Sequence, residues 1–307
     1  MRNTQMKDGF YPALGTPTDA NGQLVRSSYE KQIELMIEAG AQGVLCMGSM
    51  GRMDSIRDSA YPVIAQACCD MVSRRVPVMV GVMDCSVSRV MDRIQALGNP
   101  DIDGVVATVP FYFRINENNA IRFFTMLAQS SAYPVYVYDL PSVTQFSVTE
   151  NMLNEMMKQP NIKGIKTANL QLILTLLREP ERREDFTVFY SGLDLFDVAI
   201  QSGVGKNLDG MFTCTPFNAR RMYEGAKAGD HSLVSECLSN ILRLRNLLVK
   251  EDIFQAYTYA MNLLGCSGDF HADFCRPISE GAKGEIRGCM EVIGEFGHEL
   301  HEWTRII

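Results

Sequence analysis

A short apolar run followed by a helical pattern recurs along the chain, and this alternation limits the possible folds more than any other feature of the sequence. The runs are typical of β-strands because they are bounded by turn-forming residues. They are apolar on both faces, as parallel strands covered by helices should be. The eight predicted strands are FYPALG (10–15), GVLCMG (43–48), PVMVGV (77–82), GVVATVP (104–110), PVYVYD (134–139), IKGIKTA (162–168), TVFYSG (187–192) and DGMFTC (209–214).

Helical patterns separate these runs. The segment 27–40 has its apolar residues on one face and ends at Gly40, a common helix stop. The segment 147–160 offers Thr149 or Ser147 as a helix cap. The strands therefore alternate with helices, which is the pattern of an α/β protein.

Eight strand–helix units in about 215 residues predict a (β/α)8 TIM barrel. We expect residues 1–215 to hold the barrel strands and most helices, and residues 216–307 to hold the last barrel helix and additional C-terminal helices. An open doubly wound sheet is the alternative. That fold more often carries G-x-G-x-x-G after its first strand, and ALGTPTDANG does not match this motif.

The charge and the cysteine content exclude several classes of partner. A net charge of -7, a pI near 5.2 and no Lys/Arg cluster longer than a pair argue against nucleic acid as a partner. The N-terminal segment lacks an apolar signal core, and no apolar run approaches the roughly 18 residues that span a bilayer, so no membrane partner is expected. Nine cysteines without a C-x-x-C spacing indicate reduced thiols. We expect a cytoplasmic protein.

Metal and histidine chemistry have little support in this sequence. The four histidines all lie in the last quarter of the chain, at His231, His271, His298 and His301. A zinc site or a histidine-based triad would draw on such residues from several strand ends. We therefore predict no metal and no cofactor.

Two lysines lie three residues apart in the sixth predicted strand, within NIKGIKTANL (161–170). Side chains alternate along a strand, so Lys163 and Lys166 point to opposite faces. Lys166 lies at the C-terminal strand end, where barrels of this kind place reactive groups. Burial disfavours the charged ammonium, and a neutral amine condenses with carbonyl carbon to give a Schiff base. The alternative is that Lys166 is a strand-end lysine that reaches solvent.

Two other strand ends carry candidate groups. Tyr138, in YVYDLP, is a possible proton shuttle, although strand-end tyrosines also serve in packing. The segment GSMG (48–51) is either a tight turn or a loop whose backbone N–H groups bind a carboxylate.

Taken together, these segments resemble one family: the pyruvate-dependent class I aldolases and lyases typified by dihydrodipicolinate synthase and N-acetylneuraminate lyase. The resemblance runs in order over most of the chain, and the 28-residue spacing from Tyr138 to Lys166 also suits the family. The segments that carry it are YPALGTPTDANGQLV, GSMG, PFYF, YDLP, GIKTA, SGLD and CRPIS.

The resemblance implies a role for each catalytic candidate. Lys166 resembles the Schiff-base lysine of the family, and Tyr138 resembles its general acid/base phenol. Ser49 matches the hydroxyl residue that joins this phenol in a proton relay. Tyr112 matches a second tyrosine, which in the family reaches the site of a neighbouring subunit. The implied substrate-binding residues are Gly48, Ser49, Met50, Gly192, Asp194 and Phe212, with the N–H groups of Ser49 and Met50 holding the 1-carboxylate.

The chain departs from the family pattern at four positions. Met50 and Arg52 replace a hydroxyl residue and an acid in the usual G-[ST]-T-G-E loop. Val143 stands where dihydrodipicolinate synthases generally carry an arginine for the incoming semialdehyde. Asp194 is kept, but Leu195 replaces the glutamate that sialic acid lyases use for sugar hydroxyls. These departures disfavour lysine biosynthesis and indicate a shorter or less hydroxylated substrate than a sialic acid.

The resemblance implies a carbon–carbon lyase that acts on a 2-oxo acid, either a 2-keto-3-deoxy sugar acid or an N-acetylneuraminate-like substrate. Pyruvate and an aldehyde would be its small-molecule partners. A dehydratase, or a condensing enzyme like dihydrodipicolinate synthase, is the first alternative, and a non-catalytic oxo-acid binder is the second. The resemblance also implies a homo-oligomer, either a tetramer or a dimer.

Overall fold

Eight parallel strands form a ring in the computed structural model, which describes residues 6–180 and 182–295. Along the ring the strands follow the order β1-β8-β7-β6-β5-β4-β3-β2, and Ala13 pairs with Leu45 to join β1 to β2. The predicted (β/α)8 barrel is therefore confirmed. The strands are β1 (Gly9–Pro12), β2 (Val44–Cys46), β3 (Val78–Gly81), β4 (Gly104–Ala107), β5 (Val135–Tyr138), β6 (Ile162–Thr167), β7 (Thr187–Tyr190) and β8 (Lys206–Asp209).

Helices connect successive strands and continue after β8. Thr149 caps one of them as predicted, because its hydroxyl accepts a hydrogen bond from the Met152 N–H at 3.3 Å. The connecting helices are α1 (Arg26–Glu38), α2 (Tyr61–Val72), α3 (Val87–Ala96), α4 (Glu117–Ser130), α5 (Pro141–Thr144), α6 (Glu150–Met157), α7 (Leu170–Arg178) and α8 (Phe196–Gln201). The later helices are α9 (Pro216–Ala228), α10 (His231–Lys250), α11 (Ile253–Leu263) and α12 (Glu280–Val292).

Seven of the predicted strands overlap the observed ones, with ends that differ by at most three residues. The eighth prediction, 209–214, was wrong because β8 ends at Asp209 and residues Met211–Cys214 form a 3-10 helix. The sequence does not reveal β8, because its residues are Lys-Asn-Leu-Asp and contain no apolar run. The side-chain oxygen of the buried Asn207 accepts a hydrogen bond from the Tyr223 hydroxyl of α9, whereas its side-chain nitrogen has no partner among the described residues.

Aromatic rings fill the barrel below the C-terminal strand ends. The ring of Phe189 lies 4.9 Å from that of Tyr11 and 6.0 Å from that of Tyr136, measured between centroids. Gly164 makes room for this layer, because a Cβ there would lie 2.3 Å from the Thr187 carbonyl oxygen and 2.8 Å from the Tyr136 ring. The glycine between the two lysines of β6 is therefore required by packing. Lys166, two residues further along β6, points to the same face and lies on the C-terminal side of this aromatic layer.

The buried carboxylate of Glu295 forms hydrogen bonds with the N-terminus of α9. Glu295 is 3% exposed, and its carboxylate accepts hydrogen bonds from the N–H groups of Phe217 (3.0 Å) and Asn218 (2.8 Å) and from the Asn218 side chain (2.7 Å). Burial raises the pKa of Glu295 to about 7, although these donors oppose the rise. The α9 N-terminus thus depends on an acid that titrates near neutrality.

This arrangement predicts a pH-dependent stability. The raised pKa in the folded state means that the contribution of Glu295 is fully present below its ordinary value of 4.5 and is lost as the pH rises through about 7. Relative to Glu295→Gln, the wild-type free energy of unfolding should fall by up to about 3 kcal/mol between pH 4.5 and 8. Urea unfolding at several pH values measures this difference. Glu291→Gln, at an exposed position in α12, is the control. A difference that is constant with pH would contradict the prediction.

No helix within residues 6–180 and 182–295 is long and apolar enough to cross a membrane. In the same part of the chain, no three His, Cys, Asp or Glu side chains form a group that could hold a metal ion. All nine cysteines lie there as free thiols. His298 and His301 fall outside the described residues.

Candidate active site

A cavity of about 400 Å³ opens at the C-terminal ends of the strands. It is where the barrel architecture places reactive groups. The loops after β2, β7 and β8, the ends of β5 and β6, and helices α10 and α11 all contribute to its wall. The polar and reactive residues that line it are Ser49, Tyr138, Lys166, Ser191, Asp194, Asp209 and Arg245.

Lys166 and Tyr138 face each other in this cavity. They are paired in register across β5 and β6, and the Lys166 Nζ lies 3.8 Å from the centroid of the Tyr138 ring. Lys166 is 7% exposed, and the negative face of the ring offsets part of the amine's loss of water. Lys163 instead pairs with Asp185 and is partly exposed. The two lysines therefore lie on opposite faces of β6, as the alternation of side chains predicts.

Hydrogen bonds lock the ends of β5 and β6 together behind this pair. The Asp139 N–H donates to the Lys166 carbonyl at 2.9 Å, and the Asp139 carboxylate accepts from the Thr167 hydroxyl at 2.7 Å. The Val148 N–H donates to the same carboxylate at 3.0 Å. Burial raises the pKa of Asp139, and these two donors oppose the rise. The positions of Tyr138 and Lys166 relative to one another are consequently fixed.

The loop after β2 brings backbone donors to the cavity. Among the described residues, no acceptor pairs with the N–H groups of Ser49 and Met50. The Ser49 hydroxyl donates to the Tyr138 phenol oxygen at 3.5 Å, a long hydrogen bond. Gly51 holds the loop in place, because its carbonyl accepts from the Thr16 hydroxyl at 2.8 Å. Free backbone N–H groups beside a lysine suit an anionic group such as a carboxylate.

The two unusual residues of this loop are accommodated by packing. Met50 packs closely against Gly210. A Cβ atom added at position 210 would lie 2.7 Å from the thioether methyl of Met50 and 2.8 Å from its Cβ. Arg52 stacks on Phe254 of α11 at 4.3 Å and pairs with Asp54 at 2.9 Å. Met50 therefore lines the cavity, whereas the Arg52 charge is held by protein partners outside its lining.

Asp194 and Gly192 follow β7 and line the cavity. Arg245 of α10 binds the Asp194 carboxylate through both terminal nitrogens, one of them at 3.1 Å. This hydrogen-bonded cation lowers the pKa of Asp194. Asp194 is thus an ion-paired carboxylate at the cavity rather than a free one.

Three predicted site residues lie outside the lining of this cavity. Phe212 is fully buried, with its ring 5.2 Å from Phe10 and 5.6 Å from Phe196, because the chain has left β8 before it. Gly48 is buried against Leu45. Tyr112 is 79% exposed and packs edge-on against Phe113. Its role in the site of a neighbouring subunit stays a prediction, which a single-chain mass by light scattering would contradict.

Sequence reasoning missed two polar residues of the cavity. Asp209 ends β8, and the misplaced eighth strand concealed it. Arg245 belongs to α10, where it follows the buried Leu244 and has the sequence pattern of an ordinary helix-surface cation. A strand placed at Lys206–Asp209 would have identified Asp209, since its last residue would then fall at the reactive rim.

A larger cavity, of about 590 Å³, opens at the other end of the barrel. It lies beside the N-terminal ends of β3 and β4 and is lined by surface groups such as Gln42, Arg74 and Asp101. Catalytic groups in barrels of this type come from the opposite face. The cavity with the buried amine is therefore the better candidate for the active site.

Fold and site together define a class: (β/α)8 barrels in which a buried lysine meets a tyrosine at neighbouring strand ends. The model of the dihydrodipicolinate synthetase family matches residues 6–290. The chain therefore belongs to that family, whose members are pyruvate-dependent lyases and synthases.

Individual relatives agree with this placement. The 4-hydroxy-tetrahydrodipicolinate synthase of Methanospirillum hungatei is 30% identical over 236 residues, covering 75% of this chain and 80% of that protein. An Escherichia coli protein described as "Putative 2-dehydro-3-deoxy-D-gluconate aldolase YagE" is 30% identical over 167 residues, covering 54% and 55%. The structure of YagE with pyruvate superposes with a TM-score of 0.85 at 23% identity, covering 94% of this chain and 98% of YagE.

Proposed function

We propose that this chain is a Schiff-base-forming class I aldolase or lyase that cleaves a 2-oxo acid, such as a 2-keto-3-deoxy sugar acid, into pyruvate and an aldehyde. The observation that carries the proposal is the buried Lys166 amine, 3.8 Å from the centre of the Tyr138 ring, in a cavity with backbone N–H groups that have no acceptor among the described residues. In the same proposal the enzyme is a cytoplasmic homo-oligomer.

The lysine begins the chemistry. Its deprotonated amine attacks C2 of the 2-oxo acid and gives a carbinolamine. The Tyr138 phenol donates a proton to the carbinolamine hydroxyl, which leaves as water, and an iminium that can accept electrons remains. The N–H groups of Ser49 and Met50 bind the 1-carboxylate, which places C2 at the amine. Positioning of this kind converts a bimolecular attack into an effectively unimolecular one.

The tyrosine completes the cleavage. Tyr138, left as a phenolate by iminium formation, takes the proton from the C4 hydroxyl as the bond between C3 and C4 breaks, and the electron pair moves through C2 to the iminium nitrogen. The products are an aldehyde and the enamine of pyruvate on Lys166. Protonation of the enamine at C3 and attack by water at C2 release pyruvate and restore the amine. Ser49 supports the phenol through its hydroxyl.

Two further observations favour cleavage of a sugar acid over condensation with an acidic semialdehyde. The relative YagE carries the name of a 2-dehydro-3-deoxy-D-gluconate aldolase. Val143 is 52% exposed and offers no cation to a second carboxylate. Condensation like that of the synthase relatives is the second candidate, and the names of those relatives support it.

A screen of 2-oxo acids tests the proposal. We expect incubation with 2-keto-3-deoxy-hexonates to release pyruvate and an aldehyde in equal amounts, measured by coupling pyruvate to lactate dehydrogenase and by analysis of the aldehyde. N-acetylneuraminate should be a poorer substrate, since Leu195 stands in the place of a hydroxyl-binding acid. A dehydratase would instead yield a product with the intact carbon skeleton and no pyruvate. Absence of turnover with every sugar acid would contradict the proposal and favour a condensing enzyme or a non-catalytic binder.

A further inference from the structure

Asp209 has no assigned role in the chemistry above, yet it lines the same cavity as Lys166. It is the last residue of β8, and the residue is half-buried. The Met211 N–H donates to one carboxylate oxygen at 2.8 Å. Among the described residues no donor reaches the other oxygen, and that oxygen is not sealed inside the protein. The Asp209 carboxylate therefore keeps an acceptor position open to the cavity.

The surrounding charges set Asp209 apart from the other acid of the cavity. Asp194 is neutralised by two hydrogen bonds from Arg245. No described residue forms such an ion pair with Asp209, although it lies in the field of both Lys166 and Arg245. Burial raises the pKa of Asp209, and these two cations oppose the rise. Asp209 thus differs from Asp194 in keeping a carboxylate oxygen that no described donor occupies.

The proposed binding mode leaves one part of the substrate for Asp209. The 1-carboxylate lies at the Ser49 and Met50 N–H groups and C2 lies at Lys166, so the aldehyde half extends along the remaining wall. Apart from its ionic groups and Ser191, that wall includes the apolar residues Met211, Val249 and Ile253. A hydroxyl group there needs an acceptor, because an unpaired polar group in an apolar site is costly.

We propose that Asp209 accepts a hydrogen bond from a hydroxyl of the aldehyde half and that its charge excludes aldehydes carrying a second anionic group. The substrate class is then a 2-oxo acid whose aldehyde half is a neutral hydroxyaldehyde. This inference rests on the proposed function, which it deepens by naming the specificity-determining residue. The competing explanation is that Asp209 only caps the 3-10 helix through the Met211 N–H.

Three aldehydes separate these explanations when each is condensed with pyruvate. D-glyceraldehyde is neutral and hydroxylated, glyceraldehyde 3-phosphate adds an anionic group, and propanal lacks the hydroxyls. Asp209→Asn keeps an oxygen for the Met211 N–H and removes the charge, whereas Asp209→Ala removes both. Asp8→Asn is the matched control, because Asp8 pairs with Lys206 at the opposite end of β8.

In Asp209→Asn we expect kcat/KM for glyceraldehyde 3-phosphate, relative to glyceraldehyde, to rise at least about tenfold. In Asp209→Ala the preference for glyceraldehyde over propanal should fall at least about tenfold. Asp8→Asn should change neither ratio. A structural cap would lower all rates together and leave both ratios as they are, and that result would overturn the inference.

Borohydride trapping of pyruvate in the same preparations tests the proposed Schiff-base function separately from the role of Asp209. A wild-type chain that traps no pyruvate would overturn the proposed function, and this inference with it. Trapping in both Asp209 variants with unchanged ratios would overturn the role of Asp209 alone. Loss of trapping in Asp209→Asn, in a variant that keeps its thermal unfolding midpoint, would also overturn it, because Asp209 would then serve Lys166 rather than the aldehyde.

Discussion

Lys166→Met is expected to reduce pyruvate release by about 10⁴-fold or more, because no other lysine among the described residues lines the cavity and could form the iminium. Steady-state kinetics with the best sugar acid of the screen measures this loss. Methionine has a similar length, and its burial does not carry the cost of removing a polar amine from water. The variant should therefore unfold at the same urea concentration as the wild type or a higher one. A loss of activity with intact stability would assign the effect to chemistry.

Lys163→Met is the matched control for this experiment. Lys163 lies on the same strand, on its other face, in a partly exposed pair with Asp185. Pairs of this kind contribute about 1 kcal/mol or less to stability. We expect kcat/KM within about twofold of the wild type. Equal losses in the two variants, or substantial activity in Lys166→Met, would contradict the assignment of the nucleophile.

Tyr138→Phe is expected to lower kcat by about 10²- to 10⁴-fold, the range for removal of a general acid/base group. The substitution keeps the aromatic ring against the Lys166 amine and removes only the hydroxyl. KM should change little, since the backbone donors of Ser49 and Met50 and the lysine are retained. The separation of kcat from KM therefore reports a step after substrate binding.

Tyr136→Phe provides the control for the phenol. Tyr136 lies two residues earlier on β5, against Phe189, and is not part of the cavity lining. Its hydroxyl has no place in the proposed proton transfer, so we expect nearly wild-type kinetics. A Tyr138→Phe variant with wild-type kcat would contradict the role of Tyr138 and would require another proton carrier.

The barrel and the lysine could be predicted because each follows from a local rule. Strand–helix alternation gives the fold class, and side-chain parity separates Lys163 from Lys166. The same rules failed at β8, since Lys206–Asp209 carries little apolar signal and the apolar residues after it form a 3-10 helix. Phe212, which the family resemblance implied as a substrate-binding residue, packs its ring against Phe10 and Phe196.

The contact of Arg245 with Asp194 in the cavity wall could not be predicted, for a different reason. Arg245 meets Asp194 across 51 residues of sequence, and only the packing of α10 on the barrel brings them together. Helix cations usually face solvent, so the sequence of α10 carries no sign of this contact. Asp209 gains its importance from the same tertiary arrangement, which leaves it with one hydrogen-bond donor in a cavity that holds two cations.

Schiff-base formation at Lys166 is the central claim, and trapping tests it most directly. The protein is incubated with pyruvate and sodium borohydride, digested, and analysed by peptide mass spectrometry. Hydride reduction of the iminium leaves a carboxyethyl group on the amine, which is stable to digestion. We predict this group on the peptide containing Lys166 in the wild type and in Lys163→Met, and its absence in Lys166→Met. An unmodified Lys166, or a modification that persists in Lys166→Met, would contradict the claim.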